Sequence, residues 1–124
     1  RALVEGLFAR HLGNPALDTR ADAVAVPLAG GDVVCTTDGF VVQPLEFPGG
    51  SIGSLAVHGT VNDLAVAGAE PRILTLAAII EEGLPLALLA RLVADAGRAA
   101  VAAGVQVVAG DTKVVPRGEG GGLY

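Results

Sequence analysis

A chain of 124 residues with 52% hydrophobic content fits one domain, since single domains run to roughly 100–200 residues, and it has enough apolar matter for a real core. A net charge of -5 with 3% aromatic residues provides neither the basic face nor the stacking rings of a nucleic-acid binder, so DNA and RNA are not expected partners. Mean hydropathy is high at +0.60, yet Arg, Asp, Glu or Gly breaks every apolar run short of the ~20 residues a spanning helix needs, and no signal peptide is read.

The single cysteine, Cys35, has no partner for an internal disulfide, and its apolar run DVVCTTD predicts a buried, inert thiol and a reducing, cytoplasmic home. Glycine, at 18 residues, is about twice its usual ~7% share. The chain opens on Arg1, contains no methionine and closes on GGGLY, as if a strand were starting there. These ends read as those of a piece of a longer protein.

The opening segment, RALVEGLFARHLG, spaces Leu3, Leu7, Phe8 and His11 or Leu12 by three and four, the period of one helix face, with Gly13 placed to cap it. After the turn GNPALDTR come ADAVAVPLA and DVVCTTD, separated by Gly30, Gly31 and Asp32. They read as a β-hairpin, with Pro27 assigning the first strand to an edge or a bulge. FPGGSIGSLAVHGTVNDLAVAGAEP follows, with Ser51 as a candidate N-cap and Pro71 as a stop. Gly53, Ala56, Gly59, Ala65 and Ala67 are all small. Each glycine costs a helix about 1 kcal/mol relative to alanine, so this helix is expected to bring its backbone close to a neighbour.

RILTLAAII is apolar on both faces, which predicts a strand covered by helices on one side and by another layer or a partner on the other. In LPLALLARLVADAGRAAVAAG, a stripe of Leu89, Leu92, Val93, Ala96, Ala100 and Ala103 lies opposite Arg91, Asp95 and Arg98, with Pro85 opening the helix and Gly104 closing it. VQVVAGD is a last strand. The order helix, strand, strand, helix, strand, helix, strand predicts an α+β domain with helices packed over one sheet.

Four aspartates stand out. Asp38 and Asp111 end strands, Asp22 opens one, and Asp63 lies beside Asn62 inside the small-residue helix. Asp22 and Asp38 also suit turns, and a solvated carboxylate at a strand end needs no function. Asn62 and Asp63 are harder to set aside, because such residues in mid-helix compete with the helix for hydrogen bonds. If the carboxylates converge, their repulsion requires a cation, and hard oxygen donors favour Mg²⁺. Mg²⁺ with Lys113 nearby suits a nucleoside triphosphate, whose transferring phosphoryl group such charges neutralise.

No Walker pattern and no G-x-G-x-x-G between a strand and a helix is present, so ATP, if bound, is held by another architecture. The run RGEGGG is compatible with a loop over phosphates or with a plain flexible one. His11 and His58 make no zinc pair. His58, four residues before Asn62, is a candidate lining residue, and without G-x-S-x-G nucleophilic hydrolysis has no support.

The stretch TTDGFVVQPLEFPGGSIGSLAVHGTVNDLAVAGAEP, with EEGLPL and AGDTKVV after it, resembles the N-terminal half of the HypE family of hydrogenase maturation factors, within the aminoimidazole-ribonucleotide-synthetase (PurM-like) superfamily. GTVNDLAVAGA and GDTKVV are the most specific parts, and FPGG favours HypE over its relatives. The resemblance implies a PurM-like N-terminal domain whose mixed sheet joins that of a second subunit in a shared β-barrel, a homodimer, with ATP and Mg²⁺ bound near the interface. It implies metal and phosphate carboxylates at Asp38, Asp63 and Asp111, and at Asp22 less closely, where ADAV stands in place of two adjacent acids. It further implies that Asn62, Thr112 and Lys113 contact the nucleotide and that Lys113 is catalytic.

The implied activity is an ATP-dependent carbamoyl dehydratase that converts a C-terminal S-carbamoyl cysteine to a thiocyanate, the source of the cyanide ligands of [NiFe]-hydrogenase. HypF would supply the carbamoyl group and the HypC–HypD complex would receive the cyano group. The C-terminal domain and the cysteine tail are missing from these 124 residues, so the domain is expected to fold and not to turn over. Two alternatives stay open at this point. One is another ATP-using member of the superfamily, of the thiamine-monophosphate kinase or selenophosphate synthetase type; the other is a non-catalytic dimerisation module.

Overall fold

The computed structural model describes residues 2–124, so Arg1, the first residue of the expected opening helix, lies outside them. The chain divides into two compact units: the N-terminal stretch through Thr37 together with Asp63–Glu70, and Asp38–Asn62 together with Pro71–Tyr124.

In the first unit the opening helix is a π-helical turn, Val4–Phe8, running into α1 (Ala9–Leu12). Gly13 closes it by donating its N–H to the Ala9 carbonyl at 2.9 Å. The expected apolar face forms but is not buried: Leu3, Leu7, Phe8 and Leu12 are all about half or more exposed. The hairpin follows as β1 (Val24–Leu28) and β2 (Gly31–Cys35), antiparallel and in register from Val24 opposite Cys35 to Leu28 opposite Gly31. Gly30 and Gly31, at φ of 103° and 143°, supply the backbone that this tight turn demands. With two strands only, both are edges, the setting in which Pro27 is tolerated. Cys35 is exposed, which corrects the expectation of a buried thiol. Along β2 side chains alternate, so half-buried Val34 turns one way while Val33 and Cys35 turn to the open side.

The second unit holds the core. β3 (Glu46–Phe47) and β4 (Gly50–Ser51) form a short antiparallel pair leading into α2 (Ile52–Val66), whose last turn falls in the first unit. At the start of α2 the Ser54 hydroxyl serves the Ser51 backbone twice, accepting from Ser51 N–H at 2.9 Å and donating to the Ser51 carbonyl at 3.0 Å, while Ser51 Oγ, expected as the N-cap, is buried and makes no cap bond. β5 (Ile73–Glu81), α3 (Leu86–Ala103) and β6 (Gln106–Val115) make a parallel strand, helix, strand unit. Pro85 stands at the start of α3, and Gly104 ends it in the left-handed region at φ 70°.

Two apolar clusters hold this unit. Val57 of α2, Leu74 of β5, Ala96, Ala99 and Ala100 of α3 and Val105 form one; Leu45, Ile52 and Leu92 form the other. The small residues of α2 let the helices approach to backbone distance. A Cβ on Gly53 would overlap the Leu92 carbonyl oxygen and stand 3.1 Å from Ala96 N, and one on Gly59 would meet the Phe40 ring. Val93, expected on the buried stripe of α3, is 55% exposed, and Ala99 takes its place in the core.

The one-sheet expectation is corrected. Hydrogen bonding joins the strands in three separate pairs, β1 with β2, β3 with β4 and β5 with β6. Apolar strand runs look alike in sequence whether they share one ladder or several, and here each pair is closed by its own local connection. Along the first half of β5 the two faces differ, with Leu74 buried and Leu76 half-buried while Ile73, Thr75 and Ala77 are exposed, and residues 78–81 are half-buried on both faces. Among the described residues no helix is long and apolar enough to cross a membrane.

Candidate active site

Asp111, Thr112 and Lys113 lie within β6, which runs past the expected strand end at Asp111 to Val115. Strand alternation places Asp111 and Lys113 on one face and Thr112 on the other. Their ladder partners on β5 are Ala77 for Asp111 and Ile79 for Lys113, so the pair lies on the face of β5 and β6 that carries exposed Thr75 and Ala77. Lys113 Nζ lies 3.1 Å from Asp111 Oδ1 and 2.8 Å from Oδ2, and both side chains are about two-thirds exposed. An ammonium held by both oxygens of one carboxylate, in water and on an open strand face, is pre-placed but free to exchange partners. Exposed pairs of this kind gain only ~0–1 kcal/mol from their association.

The strand can carry these groups because Gly110 precedes them. A Cβ at Gly110 would overlap the Leu76 carbonyl oxygen, so glycine lets the two backbones come together just before the polar residues begin.

The other sequence candidates are placed as follows. Asp38, in the second unit, is exposed and its Oδ1 accepts the Gly39 N–H at 2.8 Å, a local turn bond. Asn62 is exposed on α2, and Asp63 after it is half-buried. Asp22, exposed in the first unit, accepts the Thr36 hydroxyl on its backbone oxygen at 2.6 Å. Asp111 and Lys113 are brought together; Thr112 faces away from both. Among the described residues no three His, Cys, Asp or Glu side chains are gathered as a ready-made metal site.

His58 does line a polar depression, as expected, but not with Asp111 and Lys113. It shares an open hollow of about 450 Å³ with Ser54, Asp95 and Arg98, where the helices α2 and α3 meet.

Sequence reasoning missed Glu81. This last residue of β5 receives the N–H groups of Gly118, Gly120 and Gly122 on its carboxylate, at 2.6, 3.2 and 2.9 Å. Those bonds, from Gly118 and Gly122 first, hold its carboxyl below the usual glutamate range, and the Arg117 guanidinium adds to them. The signal was present in the pair of acids that ends an otherwise apolar strand. RGEGGG is therefore neither an open phosphate cradle nor a plain flexible run.

Residues 20–123 match the family model described as AIR synthase related protein, N-terminal domain. The chain belongs to that family. Among proteins similar to this AIR synthase related domain is the carbamoyl dehydratase HypE of Azotobacter vinelandii, 57% identical over 122 residues that make up 98% of this chain and 36% of the relative. The chain thus spans about a third of the length of such relatives. Two solved structures resemble it closely. The crystal structure of a HypE–HypF complex superposes with a TM-score of 0.87 at 48% identity, covering 99% of this chain and 39% of that one. HypE in complex with ATP superposes at 0.71 with 50% identity, covering 98% and 36%.

Proposed function

We propose that this chain is the ATP-handling N-terminal domain of a carbamoyl dehydratase of the HypE kind. The observation that carries this reading is the Asp111–Lys113 pair presented on an open strand face, in a chain matched along almost its whole length by a relative of that name. The solved HypE complex with ATP supports the choice of nucleotide.

In the reaction proposed, the carbamoyl oxygen of a C-terminal S-carbamoyl cysteine attacks the γ-phosphorus of ATP, ADP departs, and the carbamoyl nitrogen gives up one of its two protons to solvent. The O-phosphorylated thioimidate then loses phosphate and its N–H proton to leave a thiocyanate, so the oxygen lost by the carbamoyl group leaves on phosphate. Lys113 is the catalytic residue of this scheme. Its ammonium, held until then by Asp111, turns to the phosphate oxygens as charge moves onto them, a contact strongest in the transition state. Asn62 and Thr112 are assigned to nucleotide contact.

The donor chemistry fits Mg²⁺, which takes hard oxygens and needs only one or two carboxylates when phosphate and water complete its shell. Asp22, Asp38, Asp63 and Asp111 are the residues assigned to hold it. Bound there, the ion would neutralise the triphosphate.

The exposed face of β5 and β6 is assigned to a second copy of the chain, giving a homodimer closed by a shared β-barrel. HypF is proposed as the donor partner, which the HypE–HypF complex supports, and HypC–HypD as the acceptor, in the cytoplasm. These 124 residues form one domain of the parent protein in this reading, and without the remainder they fold but do not turn over.

The test uses the full-length protein, incubated with its carbamoylating partner and ATP. Mass spectrometry should find the modified C-terminal peptide losing one water, in an ATP-dependent step that Lys113→Ala abolishes. ATP hydrolysis without water loss would overturn the assignment in favour of a kinase or synthetase with another acceptor.

A further inference from the structure

After β6 the chain turns through residues 116–122 and comes back along β5. Tyr124 and Ile79 exchange both backbone hydrogen bonds, at 2.6 and 3.0 Å, and Glu81 N–H donates to the Gly122 carbonyl at 2.8 Å. Gly118, Gly121 and Gly122 have φ of 89°, 58° and 98°, a region that side-chain-bearing residues rarely adopt. That backbone turns three N–H groups inward onto one point, the kind of concavity that binds anions. The anion that fills it is the chain's own Glu81 carboxylate, with the Arg117 guanidinium packed against Gly83 on the same turn.

Glu81 is also the ladder partner of Val115, and Glu82 N–H donates to the Val115 carbonyl at 2.8 Å. Asp111, Lys113 and Val115 alternate onto one face of β6. The carboxylate therefore ties down the exit of the strand two residues beyond Lys113, and among the described residues β5 is the only strand to which β6 is bonded.

We propose that Glu81 is a positioning residue: by filling the amide concavity of the glycine-rich segment it fixes the strand end that holds Lys113 and Asp111 in place for the nucleotide. The latch stands on hydrogen-bond geometry alone, whereas its effect on nucleotide rests on the function proposed above.

The test is hydrogen–deuterium exchange of peptides covering residues 116–122 in the full-length protein, wild type against Glu81→Gln and Glu81→Ala, with Mg-ATP titrations of each. Removing the acceptor should speed exchange of the segment by about tenfold or more, since it is then protected only by local contacts. Glu81→Gln, which keeps one acceptor oxygen without the charge, should fall between, and nucleotide affinity should follow the same order. Lys113→Ala should weaken nucleotide and leave exchange of the segment unchanged. Wild-type exchange rates in Glu81→Ala would overturn the latch. Should that variant fail to fold, unchanged exchange in Glu81→Gln would do the same. Faster exchange with unchanged nucleotide affinity would overturn the positioning role alone. If the wild type binds no nucleotide, the proposed function fails while the exchange result still decides the latch.

Discussion

Replacing Gly53 by alanine tests the claim that α2 and α3 pack backbone against backbone. The added Cβ would overlap the Leu92 carbonyl oxygen and stand 3.0 Å from its carbon and 3.1 Å from Ala96 N. All three are main-chain atoms of α3, so no rotamer change can relieve the contact, and the helices must part until carbon reaches the ~3.5 Å of ordinary packing. Inserting a methyl group into such a contact costs about 1–3 kcal/mol. The better helix propensity of alanine returns about 1 kcal/mol, leaving a net loss of roughly 0–2 kcal/mol, centred near about 1 kcal/mol. For a chain of this size about 1 kcal/mol lowers the Tm by on the order of 3–6 °C. The control is Gly97→Ala on α3, where an added Cβ meets nothing within 4 Å; there the propensity gain stands alone and the Tm should rise. Melting of both variants followed by circular dichroism decides the matter. A Gly53→Ala protein melting at or above the wild type would refute the close approach.

Exposed Cys35 should react stoichiometrically with a thiol reagent in the native protein, and protection until denaturant is added would contradict its placement. If the proposed homodimer forms through the open face of β5, light scattering should give a dimer mass for the wild type and a monomer mass for Ala77→Lys, and an unchanged dimer mass would remove that face from the proposed interface. The Gly118, Gly120 and Gly122 amide shifts should titrate together on acidification. Because the folded-state Glu81 carboxyl is held below its ordinary range, its contribution is complete at neutral pH and is lost only as pH falls through that depressed value. A midpoint at or above the ordinary glutamate range would count against the three hydrogen bonds.

Most elements could be read from the sequence because local chemistry specifies them. Pro85 and Gly104 bound α3 in the structure as they do in the text of the sequence, and the glycine turn fixes the β1–β2 register. What the sequence concealed was the environment of those elements. Val93 and Ala99 both fit a helical stripe, and only the approach of α2 and β5 decides that Ala99 is buried. Cys35 and Val34 are equally apolar neighbours, and the pleat alone separates their exposures. Pairing into three ladders was likewise hidden, since each run carries the composition of a strand without naming its neighbour.

The site divides along the same line. Asp111 and Lys113 stood out in the sequence by residue type, and they share one face and form the 2.8 Å ion pair because β6 continues past Asp111 to Val115, beyond the expected strand end. Glu81 could be seen only as one of a pair of acids ending an apolar strand, and its role could not be read, because its three partners lie 37 to 41 residues away and are backbone amides, which carry no side-chain signature. A glycine-rich run after a strand looks like a vacancy for a ligand; whether it is one depends on whether the fold delivers an anion from elsewhere in the chain. Here β5 delivers it, and Glu81, Asp111 and Lys113 alternate onto the same face of one strand pair. Any phosphate that reaches Lys113 therefore meets a strand end already anchored by a carboxylate, with the glycine amides committed to that anchor. The residues proposed to bind the nucleotide and the residue proposed to hold them steady can then be altered separately.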